Sequence, residues 1–179
     1  ESASRVHMLD WYSRVLELID LRSFSNLWYW IGLAVVWSQA SHRVLGVPYD
    51  MVTRAQRDGG QAEQDLNDIV RVNVTRLLYI QDTAGLWIFA IFHFVLTSLL
   101  ILGFWYAVEF AQALALIVVP MAMVGGLSVR TARAILRTDG ADLYQRLRRH
   151  RLIVQLIGMV SIFITAFWGM LQNMNFGAI

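Results

Sequence analysis

The chain has 179 residues, 57% of them hydrophobic, only 16% charged, with a formal net charge of +2, whereas soluble domains average roughly 45–50% apolar and 25% charged residues. That balance argues against a soluble enzyme. The absence of cysteine and the presence of only two prolines exclude a disulfide scaffold, a thiolate metal site, a haem-attachment CxxCH motif and a collagen-like or low-complexity chain. What remains is an all-α integral membrane protein, read as a single membrane domain over residues 1–179.

In chain order, the first element is amphipathic. Val6, Leu9, Tyr12, Val15, Leu16 and Ile19 share one helical face, with Asp10, Arg14, Glu17 and Asp20 elsewhere. A helix over residues 6–22 either lies in the headgroup plane, anchored by Trp11 and Tyr12, or packs against the other helices. No short basic stretch, apolar run and small-residue cleavage site opens the chain, so no cleavable signal peptide is expected.

A helix crosses the roughly 30 Å hydrocarbon layer in about 20 apolar residues, and four windows of that size predict four transmembrane helices. The first, residues 24–47, is interrupted: its apolar half LWYWIGLAVVW gives way to Ser38, Gln39, Ser41, His42 and Arg43 before a Gly46-Val47-Pro48 stop. The second, residues 84–106, and the fourth, residues 152–175, carry no charge. The third, residues 107–127, holds Glu109 and Gln112 near one end and Pro120 inside. A kink is expected there, with neighbouring helices re-satisfying the carbonyl that proline frees. The second and third windows adjoin so closely that Phe104 to Glu109 must hold the whole turn of a tight hairpin.

Two connectors separate these windows. Residues 48–83 contain a second amphipathic helix, with Leu66, Ile69, Val70, Asn73, Leu77 and Ile80 on one stripe behind an Asp58-Gly59-Gly60 turn, suited to rest on the bilayer or on a partner. Residues 128–151 carry Arg130, Arg133, Arg137, Arg146, Arg148, Arg149 and Arg151. These arginines are expected to meet anionic lipid or a partner subunit. No nucleic-acid-binding module accompanies them, so nucleic acid is not an expected partner. All basic residues are arginine and both connectors that hold most of them fall on one side of a four-span chain. The positive-inside bias then puts both termini in the periplasm of a bacterial inner membrane, cytoplasmic or intracytoplasmic, and the Arg-rich connectors in the cytoplasm. The two hairpins share no repeat, which argues against an inverted-repeat transporter.

Few residues offer chemistry. His93, within the uncharged second window, is a candidate ligand for a pigment or a haem, because neutral imidazole binds metals and polar groups are costly at that depth; the alternative is a hydrogen bond to another helix beside Thr97. A second haem ligand would have to be His42, and the two differ in depth by roughly 8 Å at 1.5 Å per residue. Glu109 and Gln112, at i,i+3, either line a proton or substrate path or are simply solvated. No HExxH, phosphate loop, GxSxG or paired intramembrane carboxylates occur, so no catalytic residues are assigned and no enzyme is expected. Helix association is the more prominent signal: Gly158, Ser161, Thr165 and Gly169 on the fourth window, and Ala111 with Ala115 and Ala122 with Gly126 on the third, are small residues at a spacing that brings backbones together.

The stretch HMLDWYSRVLELIDLRSFSNLWYWIGLAVVWSQASHRVLGVPYDMVTRAQRDGG followed by two hairpins resembles a family of small integral membrane proteins of alphaproteobacteria, among them purple phototrophs. The likeness covers nearly the whole chain. The family is sometimes labelled a component of the SufBCD complex, and it supplies no motif with an assigned role; an iron–sulfur scaffold would be expected to show cysteine or a nucleotide site, and the chain has neither. Small size, small-residue packing faces, amphipathic helices on both surfaces and this resemblance together point to a non-catalytic accessory subunit of an energy-converting membrane complex, foremost the photosynthetic reaction centre with its core antenna polypeptides. There it would shape the antenna ring or a quinone passage and contact bacteriochlorophyll, carotenoid or lipids. Two other classes stay open: an oligomeric transporter or channel lined by His42, Arg43, His93 and Glu109, and a haem-bearing respiratory subunit or assembly factor.

Overall fold

The computed structural model describes residues 23–138 and 140–176, so the amphipathic helix expected over residues 6–22 lies outside the described residues. Five helices follow a 3-10 turn at Ser23–Ser25: α1 (Leu27–His42), α2 (Tyr49–Asp58), α3 (Gly60–Leu100), α4 (Glu109–Arg137) and α5 (Leu143–Phe176). The fold is all-α apart from a two-residue ladder between Arg43–Val44 and Val47–Pro48.

Helix α1 begins where the Asn26 side chain accepts a hydrogen bond from the Trp28 backbone N–H at 3.0 Å, satisfying one of the unpaired donors at a helix start. It ends after 16 residues, about 24 Å at 1.5 Å per residue. The polar run Ser38 to Arg43 gives out into a hairpin turn in which Leu45 (φ 52°) and Gly46 (φ 78°) are both left-handed and Val44 pairs with Val47. Two-residue hairpins favour that geometry. For Leu45 it costs roughly 1–2 kcal/mol, offset by burial of its side chain to 9% exposure.

Among the described residues three helices are long and apolar enough to cross a membrane: Gly60–Trp105, Glu109–Arg137 and Leu143–Met174. The chain is therefore a multi-pass helical membrane protein by length and composition. The connector helix and the second window, expected as separate elements, are one helix of 41 residues, about 62 Å long and twice the depth of the hydrocarbon layer. Nothing interrupts it, because Gly85 alone costs only about 1 kcal/mol inside a helix. Its polar first half stands clear of the apolar second half.

That first half is not left to rest on a surface. Leu66, Val70, Val74 and Leu78, one turn apart, are buried with Val44, Val47, Val52 and Ala55 on one side and Ala132, Ile135, Leu143 and Leu147 on the other. The expected stripe shares Leu66 and Val70 with this one, and Leu77 packs against it, but Ile69 and Ile80 are 38% and 41% exposed. The main hydrophobic core thus sits at the arginine-rich end, where the α4–α5 turn folds back onto α2 and α3.

At the opposite end, α3 widens into a π turn (Ile101–Trp105) and the chain reverses through Ala107 (φ 55°) into α4. The hairpin turn falls within the expected Phe104 to Glu109. Pro120 lies inside α4, which continues through it and on past Arg130, Arg133 and Arg137.

Candidate functional site

At the hairpin end a polar clasp joins all the long helices. Gly103 is buried, and a Cβ there would lie 2.9 Å from the Gln112 backbone nitrogen, so only glycine lets the π turn approach α4 this closely. The Gln112 side chain, 4% exposed, donates to the Gly103 carbonyl at 2.8 Å. Its Oε1 accepts from Trp168 Nε1 at 3.0 Å and from Gln172 Nε2 at 2.9 Å, both on α5. Glu109 accepts from the Phe24 backbone N–H at 2.7 Å, and the Tyr29 hydroxyl donates to the Ala113 carbonyl at 3.2 Å. Glu109 and Gln112 are accordingly braces in this fold. Both are legible as an i,i+3 polar pair, but apart from Gly103, nine residues from Gln112, their partners are 56 to 85 residues away and carry no sequence signal.

Most of the predicted small-residue positions are used within the chain. A Cβ on Gly158 would sit 2.8 Å from Trp37 Cε3, and one on Gly169 would sit 3.2 Å from Phe24 Cδ1. Ser161 and Thr165 are buried on the same face of α5, as are Ala111 and Ala115 on α4. Trp37 is 4% exposed and seated on Gly158. Ala122 and Gly126 behave differently: nothing lies within 4 Å of a Cβ placed on Gly126, and both residues line a groove.

That groove is a large open feature among the described residues. The buried residues of α3 stop at Gly85 and those of the hairpin resume only at Gly103, while on α4 they stop at Ala115 and resume at Ala132. The α3–α4 hairpin is therefore pinned at both ends and unfilled between them, leaving a cavity of about 1520 Å³. Ile88, Phe92, His93 and Leu96 form one wall, Ile117, Ala122, Gly125 and Gly126 the other, and Arg130, Arg133, Arg137 and Arg146 stand at its mouth.

His93 is exposed, and its Nδ1 lies 2.8 Å from the Phe89 carbonyl of its own helix, not from a group on another helix as expected. A carbonyl only accepts, so Nδ1 carries the proton and Nε2 keeps the lone pair. The ring lies against Phe89 at 3.8 Å between centroids. The other residues weighed for a path or a haem are elsewhere: His42 is exposed and bonds Ser38 of α1, Arg43 is exposed at the α1 end, and Glu109 is in the clasp. Among the described residues no group of three His, Asp or Glu is placed to hold a metal ion.

The seven arginines of the second connector do not form one cluster. Arg130, Arg133 and Arg137, at i, i+3 and i+7, join Arg146 of α5 at the groove. Arg148 and Arg149 are exposed away from it. Arg151 stacks on the Tyr49 ring at 3.8 Å, a cation–π contact that ties α5 to α2.

Compared with family models, curated proteins and solved structures, the chain matches none.

Proposed function

We propose that this protein is a non-catalytic accessory subunit of a bacterial energy-converting membrane complex, and in particular of the photosynthetic reaction centre with its core antenna, where it shapes the antenna ring or a quinone passage. The observation that supports this reading is the uneven cover of the three long helices. Only 6% of the most apolar window of Gly60–Trp105 is buried inside the chain, against 22% and 28% for the other two. Leu86, Trp87 and Phe94 of α3 are 73–80% exposed, a run of large side chains with the aromatic content favoured at protein interfaces. The chain uses most of its small-residue seams for itself and offers α3 outward.

In this reading α1, 16 residues long, completes a fourth crossing together with its flanking residues, both termini are periplasmic, and the arginine connectors face the cytoplasm. The groove suits contact with bacteriochlorophyll, carotenoid or lipid. The His93 tautomer suits an axial ligand, because metal-binding imidazoles characteristically donate their other N–H to a carbonyl or carboxylate. The resemblance to alphaproteobacterial membrane proteins supports the choice of complex.

A photo-crosslinking side chain placed at Phe94 in native membranes tests the reading. Capture of a reaction-centre or antenna polypeptide is the expected result, with no such product from the same probe at buried Val154. Lipid adducts alone at Phe94 would count against a subunit role.

A further inference from the structure

We propose that the groove between α3 and α4 is a binding site for one anionic phospholipid, its acyl chain lying along Val119, Ala122 and Gly126 and its headgroup phosphate held by Arg130, Arg133, Arg137 and Arg146. The inference stands apart from membership of any complex.

Shape favours a chain-like ligand. At about 1520 Å³ the groove exceeds the roughly 300–1,000 Å³ of small-molecule pockets, and it is open along its length. The glycines provide the depth, since nothing lies within 4 Å of a Cβ built on Gly125 or Gly126. From Arg130 down to Ile117 the α4 wall is about 20 Å long, close to the roughly 15 Å thickness of a single leaflet. Beyond it, Ala115, Ala111 and Gly103 are buried and close the hairpin. A partner's membrane-crossing helix would need a groove running the full thickness.

Charge favours an anion at the mouth. Among the described residues no aspartate or glutamate lines the groove, and none of the four arginines has a carboxylate within salt-bridge distance. Arg146 is oriented by donating Nε to the Ala141 carbonyl at 3.2 Å, which leaves its terminal nitrogens for a ligand. Three guanidinium groups on one face of α4 with a fourth from α5 match the bidentate recognition that arginine gives phosphate oxygens. General attraction to an anionic bilayer would draw on Arg148 and Arg149 as readily. A built site would not.

The test uses the purified full chain in non-ionic detergent, offered equal amounts of phosphatidylglycerol and phosphatidylcholine with identical acyl chains, with retained lipid read by native mass spectrometry. Phosphatidylglycerol should be retained preferentially at one per chain. The R130Q/R133Q variant should weaken that retention by roughly tenfold or more, the order expected on losing a hydrogen bond to a charged group. G126F, which fills the groove and leaves every arginine in place, should abolish retention, and G125F serves if G126F elutes as an aggregate. R148Q/R149Q should bind like the parent, and excess soluble glycerol phosphate should not displace the lipid. Equal retention of the two lipids, equal losses in R148Q/R149Q and R130Q/R133Q, undiminished retention in the groove-filled variants, or displacement by glycerol phosphate would each overturn the proposal.

Discussion

Ser161 of α5 places its Oγ 3.4 Å from the Leu116 carbonyl of α4, and that carbonyl is the one Pro120 leaves without its helical N–H partner. Proline lacks the N–H that would bond four residues back, and a neighbouring hydroxyl is one of the few groups that can answer for it in lipid. The bond is long, so its contribution should be modest, about 0.5–1.5 kcal/mol. Ser161→Ala should lower stability in detergent by that amount in the parent chain. In a Pro120→Ala background the same change should cost almost nothing, because the helix then satisfies Leu116 itself. Equal costs in both backgrounds would show that the contact is incidental.

Gln112 gathers three hydrogen bonds in a buried position, so its loss should be expensive. Gln112→Leu leaves the Gly103 carbonyl, the Trp168 indole N–H and the Gln172 amide without this partner, at about 1–3 kcal/mol for each group left unpaired away from water. Chemical denaturation in mixed micelles, followed by tryptophan fluorescence, reads the loss. Glu109→Gln is the contrasting case: an amide oxygen still accepts from Phe24, so stability should fall by less than about 0.5 kcal/mol. Were Glu109→Gln as damaging as Gln112→Leu, the charge of Glu109 would have a role beyond bracing.

The contact of Gly158 with Trp37 should behave as a lock between α1 and α5. Adding a methyl group at 2.8 Å from the indole overpacks the seam, and Gly158→Ala should destabilise by about 1–3 kcal/mol. Trp37→Leu should restore part of that loss when combined with Gly158→Ala, a coupling expected only between residues in direct contact. Additive costs would mean that the helices separate without regard to this pair.

His93 is exposed to the groove and bonds its own helix, so His93→Ala should leave thermal stability of the isolated chain within about 0.5 kcal/mol. In material isolated with its partners, the same substitution should shift or remove a tetrapyrrole absorption band if the imidazole is an axial ligand. A marked loss of stability in the isolated protein would instead assign His93 to packing.

Much of the architecture was legible because the bilayer imposes a length. The uncharged run Ala84 to Tyr106, the adjoining α4 and the small-residue face of α5 all announce themselves by composition, and the short turn before Glu109 follows from their adjacency. The first window was harder, because its polar half stops the helix at His42 and gives a two-residue hairpin that only the Gly46-Val47-Pro48 sequence hints at. In the connector helix Leu66 and Val70 are legible as core, but Val74 and Leu78 replace Ile69 and Ile80 there because the α4–α5 turn, distant in sequence, covers that side. The clasp around Gln112 and the glycine at 103 depend on which helices lie together, and spacing along one helix cannot reveal that. The groove depends on where the hairpin is not filled, a property of two helices jointly. The arginine run was plain in the sequence, while its division among groove, surface and Tyr49 was not.

The proposed role as an accessory subunit is tested by isolating the native protein from its own membranes in mild detergent, with an absorption spectrum and a protein inventory taken on the same fraction. Co-migration at fixed stoichiometry with reaction-centre and antenna polypeptides and with their bacteriochlorophyll is the expected result. A colourless fraction containing only this chain, with the pigment-protein complexes recovered elsewhere, would contradict it.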